Sequence, residues 1–358
     1  MPLNKNSRIE IYDWIRVLGM MLVVIGHASY LSHATDFGSV AYELPSTINS
    51  HYEDFIPYAI RFIGGWAYSF HMPLFFILSG AVYALKKADT FDGMVIKKAK
   101  SLIVPYYIYG VAFMLPVKVI SDFYKNADMK KVFRNFFEGG AENGHLWFLI
   151  TLFWCFLLGY LLIEFVGKKS MIAALLIALI LSKCELSFLP AFMGFSNAFN
   201  YVFWFMLGFV FEKYLRKKIE EQGTGKTAMI FALMTAVMII LPVDNGQGAT
   251  AYVAFYCAWF ILLALLSQIL IGRIELLRKL ILFLSPLCVY IYIFHDPMEY
   301  FILKEAFEHD WLSSGVYVYV YYFIRTAGVF IVSALLGFGI CKIKGKIKRR
   351  NSATVTFE

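Results

Sequence analysis

Residues 250–272 read TAYVAFYCAWFILLALLSQILIG, with no charged side chain in the run. A helix rises about 1.5 Å per residue, so about 20 apolar residues cross the hydrocarbon core of a bilayer. This stretch is long enough to cross alone. Similar stretches lie on both sides of it, at 15–33, 58–85, 101–120, 145–166, 170–182, 197–212, 226–242, 280–301 and 315–341. The pattern predicts an all-α integral membrane protein, a bundle of about ten transmembrane helices. The fifth and sixth spans are short. The second is long enough to tilt, kink or begin as an interfacial segment. Composition agrees: of 358 residues, 60% are apolar and 16% charged, with 35 Phe, 23 Tyr and 7 Trp. That excludes a disordered chain, and it leaves too few polar residues to cover a soluble fold. A membrane barrel would show short alternating strands instead.

The net charge is +8. The basic residues cluster in short runs between apolar stretches, as cytoplasmic loops do, so nucleic acid is not expected as a partner. With the N-terminus placed inside, inner segments hold 23 Lys and Arg and outer segments 7, while Arg16, Arg61 and Arg325 sit within or at the ends of spans. This asymmetry predicts both termini cytoplasmic and an even number of spans. The division is then a cytoplasmic segment 1–14, one membrane domain 15–341 and a basic cytoplasmic tail 342–358. The first span does not read as a cleaved signal peptide, because Arg16 and His27 interrupt it. The outer loops 34–57 and 121–144 are long for connectors and are expected to form part of a site. No internal repeat stands out. The five cysteines (Cys155, Cys184, Cys257, Cys288 and Cys341) have neither disulfide nor metal-ligand spacing, so no metal site is expected.

Ionisable groups inside a span are costly and mark function by default. Arg16 and His27 are eleven residues apart. That separation is within about 20° of three full turns and about 16 Å along the axis, so both face the same way. Asp13 is one turn before Arg16 and can pair with it. The bland alternative is a snorkelling arginine and a packing histidine. Further groups follow: Phe70-His71-Met72-Pro73, Ser79-Gly80, Lys97-Lys98-Ala99-Lys100, Gly144-His145-Leu146-Trp147, and His295-Asp296-Pro297. Arg325 lies ten residues into the last span.

This constellation resembles acyltransferase family 3, the integral membrane O-acyltransferases of bacterial polysaccharides and related acceptors. Arg16 and His27 match the family's spacing in the first span, and Phe75-Phe76-Ile77-Leu78-Ser79-Gly80 its second-span motif. The Phe-His-Met-Pro and His-Leu-Trp-Phe-Leu stretches are similar to the branch containing fucose O-acetylases. There are departures. Lys97, Lys98 and Lys100 stand where arginines are common, and a lysine offers phosphate a point charge rather than a fork. Ala81 replaces an aromatic residue after the Ser-Gly. No appended esterase-like domain is expected, and the membrane domain is expected to handle the acceptor alone.

The resemblance implies acyl-CoA as co-substrate, with no permanently bound cofactor. A basic cytoplasmic mouth suits the phosphates of coenzyme A. Arg16, Lys97, Lys98 and Lys100 are the donor-binding candidates, joined by Ser79 and Gly80, which read as a backbone-shaping element rather than a nucleophile. His27 is expected to act as general base on an acceptor hydroxyl arriving from outside, with Arg16 beside it in the catalytic set. An acyl-imidazole is the less favoured variant. His71, His145, Trp147, His295 and Arg325 are the acceptor-side candidates. Trp66, Tyr292 and Glu53 or Asp54 are further candidates for a sugar pocket. Acetyl is the expected group and succinyl the runner-up, on a sugar or polysaccharide acceptor at a bacterial cell membrane. Two other readings remain at this stage: a polysaccharide exporter, which consumes no thioester, and a membrane sensor or scaffold.

Overall fold

A computed structural model describes residues 9–30, 49–86, 90–139, 144–184, 192–240 and 250–354. Lys5, Arg8, Lys87 and most of the expected outer loop 34–57 lie outside these residues. Among the described residues every regular element is helical. We number them α1 (Glu10–Ser29), α2 (Phe55–Tyr68), α3 (His71–Ala84), α4 (Phe91–Ile120), α5 (Met129–Glu138) and α6 (Trp147–Gly167). They continue with α7 (Met171–Leu181), α8 (Phe192–Glu221), α9 (Thr224–Ile240), α10 (Thr250–Arg273), α11 (Glu275–Glu308) and α12 (Tyr317–Lys346).

In their described residues all ten expected stretches are largely helical, but they are not equivalent; 31–33 and 241–242 lie outside the described residues. Among the described residues, seven helices are long and apolar enough to cross a membrane singly. The expected second span is α2 plus α3, bent by 53°. The bend has local causes. Ser69 Oγ turns back to donate to Trp66 O at 2.7 Å, and Phe70 leaves helical geometry at φ −140°. Pro73 falls in the first turn of α3, where its missing N–H leaves no helical bond unmade. The remaining two, α7 and α9, are shorter apolar helices.

Prolines shape α4 as well. Pro105 and Pro116 each follow a widened π turn, Ala99–Ile103 and Gly110–Met114. The proline ring clashes with the carbonyl four residues back, and an extra residue in the preceding turn relieves that crowding.

The bundle is arranged around α1. Of its membrane-spanning stretch 67% is buried, against 22–44% in the six other singly spanning helices. Trp14, Val17, Met20 and Val24 sit in one core shared by most of the bundle. Close crossings hold the neighbours. A Cβ on Gly80 of α3 would lie 1.8 Å from Phe205 O of α8, and one on Gly208 of α8 would lie 1.8 Å from Ile77 O of α3. Only glycines allow these backbones to touch.

Candidate active site

A cavity of about 1140 Å³ runs beside α1, lined by Arg16 toward one end and His27 toward the other. The helical arithmetic therefore holds in three dimensions. At the first end Arg16 donates to Ser285 Oγ at 2.7 Å, and Asp13 accepts from Arg16 at 3.5 Å and from Ser285 at 2.5 Å. The Arg16 side chain is 31% exposed, against 7% for Asp13. The carboxylate is thus the buried anchor, and the guanidinium reaches the cavity. Lys86, Lys98 and Ser79 line the same cavity. Lys98 Nζ sits 3.2 Å from the centre of the Phe156 ring, a cation on an aromatic face. Ser79 Oγ donates to Phe75 O at 2.8 Å, which fits a packing role.

The other end is built on Asp296, 3% exposed in the middle of α11. Its oxygens are shared out. Oδ1 lies 2.9 Å from His27 Nδ1 and accepts a longer bond, 3.4 Å, from the Tyr30 hydroxyl, which itself lies 3.2 Å from His27 Nδ1. Oδ2 lies 2.9 Å from His145 Nδ1 and 3.0 Å from Lys118 Nζ. An ionised carboxylate only accepts, so it fixes Nδ1–H on His27 and leaves Nε2 as the basic nitrogen. Lys118 is 1% exposed and lies near the faces of Phe123 and Tyr300, 4.2 and 4.8 Å from their centres. Gly144, at φ +119°, makes room for it: a Cβ there would stand 2.3 Å from Lys118 Nζ. His145 follows at once and also bonds Ile293 O through Nε2 at 3.0 Å.

Two more histidines face this end. His71 Nδ1 bonds Ala67 O at 3.0 Å. His295 Nδ1 bonds Ile291 O at 3.0 Å and Tyr292 O at 2.8 Å. The His295 ring stands edge-on to His27 with centroids 4.7 Å apart. Trp147, Tyr68, Tyr292 and Tyr300 complete the wall.

Four of the donor- and acceptor-side candidates do not line the cavity. Lys97 and Lys100 are exposed on other faces of α4, roughly 100° and 200° around the helix from Lys98. Gly80 serves the α3–α8 crossing. Arg325 is fully buried behind the wall: its Nη1 donates to Tyr30 O and its Nη2 to His27 O, both at 2.8 Å, while Nε donates to Glu299 at 2.6 Å. Trp66 also lies outside the wall. So do Glu53, paired with Arg61 at 3.2 Å, and Asp54. The Tyr319 hydroxyl and His51 hold the Asp54 carboxyl below the usual carboxylate range.

Lys118 and Tyr30 have no site role in the sequence reading, and Asp296 enters it only as the neighbour of His295. Lys118 lies within the apolar run 101–120, so the rule that flags a buried charge also flags it. Asp296 carries the same signal in 280–301. Among the described residues no cluster of His, Cys, Asp and Glu has the arrangement of a metal site.

Fold and site together define a multi-pass helical membrane protein with a histidine–aspartate pair deep in a cavity whose other end is basic. The acyltransferase 3 domain model matches residues 9–341, and the chain belongs to that acyltransferase family. No curated protein and no solved structure matches it.

Proposed function

We propose that this acyltransferase moves an acetyl group from cytoplasmic acetyl-CoA to a hydroxyl of a sugar or polysaccharide at the outer side of the cell membrane. One observation carries the reading: His27 Nδ1 is held 2.9 Å from Asp296 in a cavity that also reaches Arg16 on the same helix. Arg16, Lys86 and Lys98 offer positive charge to the phosphates of coenzyme A, with Lys97 and Lys100 adding to the field at the mouth. The thioester arm then extends along α1 toward His27. His71, His145, Trp147 and His295 surround the acceptor, and Arg325 acts from behind the wall. The charge asymmetry of the loops supports placing the Arg16 end in the cytoplasm.

In the reaction the acceptor hydroxyl gives its proton to His27 Nε2 as its oxygen bonds to the thioester carbonyl carbon. The carbonyl electrons move onto oxygen. They return as the C–S bond breaks, and the departing thiolate takes the proton from Nε2. The products are an ester and free coenzyme A, and His27 is regenerated. Asp296 stabilises the imidazolium formed midway.

Purified protein in nanodiscs, given labelled acetyl-CoA and a panel of sugars, tests this. His27→Ala should lower transfer by roughly 10²–10⁴-fold, the usual worth of a general base. Arg16→Ala should chiefly raise KM for acetyl-CoA. Full activity in H27A removes the assigned base. A wild type that neither binds nor consumes acyl-CoA overturns the reading and returns attention to export, assayed as flux in vesicles.

A further inference from the structure

The wall around His27 is short of one partner. His295 is fully buried, and its Nε2 has no hydrogen-bond partner among the described residues, yet the residue lines the cavity. Its tautomer follows from its neighbours. Two carbonyls, Ile291 O and Tyr292 O, both accept from Nδ1, so Nδ1 carries the hydrogen and Nε2 a lone pair. A buried acceptor left unmatched is costly and calls for a donor. His27 has the same character, with Nδ1–H on Asp296 and a basic Nε2. The ring centroids are 4.7 Å apart and both residues line the cavity, so the two rings border the same stretch of it. An ammonium group is a poor donor here, because Lys118 already brings a cation to this wall. Hydroxyls fit: each donates once, carries no charge, and one of them can become the nucleophile.

We infer that the acceptor is a vicinal diol, with one hydroxyl reacting at His27 and its neighbour donating to His295 Nε2. The inference rests on the acyl-transfer reading and narrows its substrate class. The second hydroxyl keeps its proton throughout. It orients the sugar and sets which oxygen is acylated, so His295 is a specificity-determining residue.

The test uses the intact protein, acetyl-CoA, and methyl glycosides paired with their monodeoxy analogues, each lacking one hydroxyl of the diol. Removing the neighbouring hydroxyl should lower kcat/KM roughly tenfold or more in the wild type. His295→Asn keeps an amide donor for the two carbonyls but has no acceptor at the ε position, so it should lose the preference for the diol. His295→Gln places a carbonyl near that position and should keep part of it. A purely structural role for His295 predicts an unchanged preference in both variants. Equal turnover of diol and deoxy partners by the wild type, or a preference that survives in H295N, overturns the inference alone. Consumption of acetyl-CoA that no diol stimulates does the same. If no acetyl-CoA is consumed at all, the transferase reading falls and this inference falls with it.

Discussion

Asp296 is the junction of the site. A buried carboxylate is tolerated only when paired and hydrogen-bonded, and this one faces His27, His145 and Lys118. Asp296→Asn keeps the size and removes the charge. One carboxylate oxygen becomes an NH₂ donor that faces other donors, and His27 loses what fixes its tautomer. Transfer should fall roughly 10³–10⁴-fold in kcat, as when the acid behind a catalytic histidine is neutralised. KM for acetyl-CoA should hold, since the Arg16 end is untouched. Steady-state kinetics on folded protein checks this, and D296N activity within tenfold of wild type would separate Asp296 from catalysis. At this scale the sequence is half legible. Arg16 and His27 share one helix, so their common face follows from spacing alone. Asp296 joins residues 27, 118 and 145 across three other segments, and no local pattern carries that contact. Lys118 shows the difficulty. Near the end of an apolar run it reads as an outer-loop cation, whereas in the fold it is sealed against Asp296.

Among the elements, α1 depends on a clamp at its C-terminal end. The last carbonyls of a helix lack partners within it, and cations are favoured there. Arg325 supplies the cation from α12, donating to His27 O and Tyr30 O, with Glu299 as its counter-ion. It does so from a π turn, Ile324–Gly328, where one extra residue re-aims a side chain. Arg325 is therefore a positioning residue for His27. Lysine keeps the charge but has one ammonium group in place of the fork, so it cannot hold both carbonyls and Glu299 in the same planar geometry. In folded Arg325→Lys, kcat should fall roughly 10–100-fold through misplacement of the base, with KM for both substrates nearly unchanged. A raised acceptor KM at constant kcat would instead make Arg325 an acceptor contact. Helix existence is largely legible in sequence because hydropathy dictates it. The length of the second span already allows a kink, but the place and angle of the bend between α2 and α3 are not legible, because they come from one serine hydroxyl and the backbone at Phe70. The Gly80–Gly208 crossing is equally hidden, since it needs two helices brought together.

The whole molecule poses a question of length against charge. α7 has eleven residues, about 17 Å, and α9 seventeen, about 26 Å, whereas the hydrocarbon core is about 30 Å thick. By length alone α7 falls well short, and crossing requires local thinning of the bilayer. Charge argues the other way. Lys168 and Lys169 precede α7, Arg216, Lys217 and Lys218 lie in the last turns of α8, Arg273 ends α10 and Arg278 lies in the first turn of α11. These basic groups share one side only if both α7 and α9 cross. Charge bias sets orientation, while modest mismatch costs fractions of a kcal/mol per Å, so we expect both to cross. Cys184, an exposed free thiol just after α7, reports whether α9 crosses. If α9 crosses, five crossings separate Cys184 from Lys346. If it does not, four remain and the two residues share a side. In a Cys341→Ser, Lys346→Cys background, an impermeant maleimide should label Cys184 on intact cells and position 346 only after the membrane is opened. Labelling of both from one side would show that α9 does not cross. The charge argument for a cytoplasmic Arg16 mouth would then need replacing, and with it the side from which the acyl donor enters.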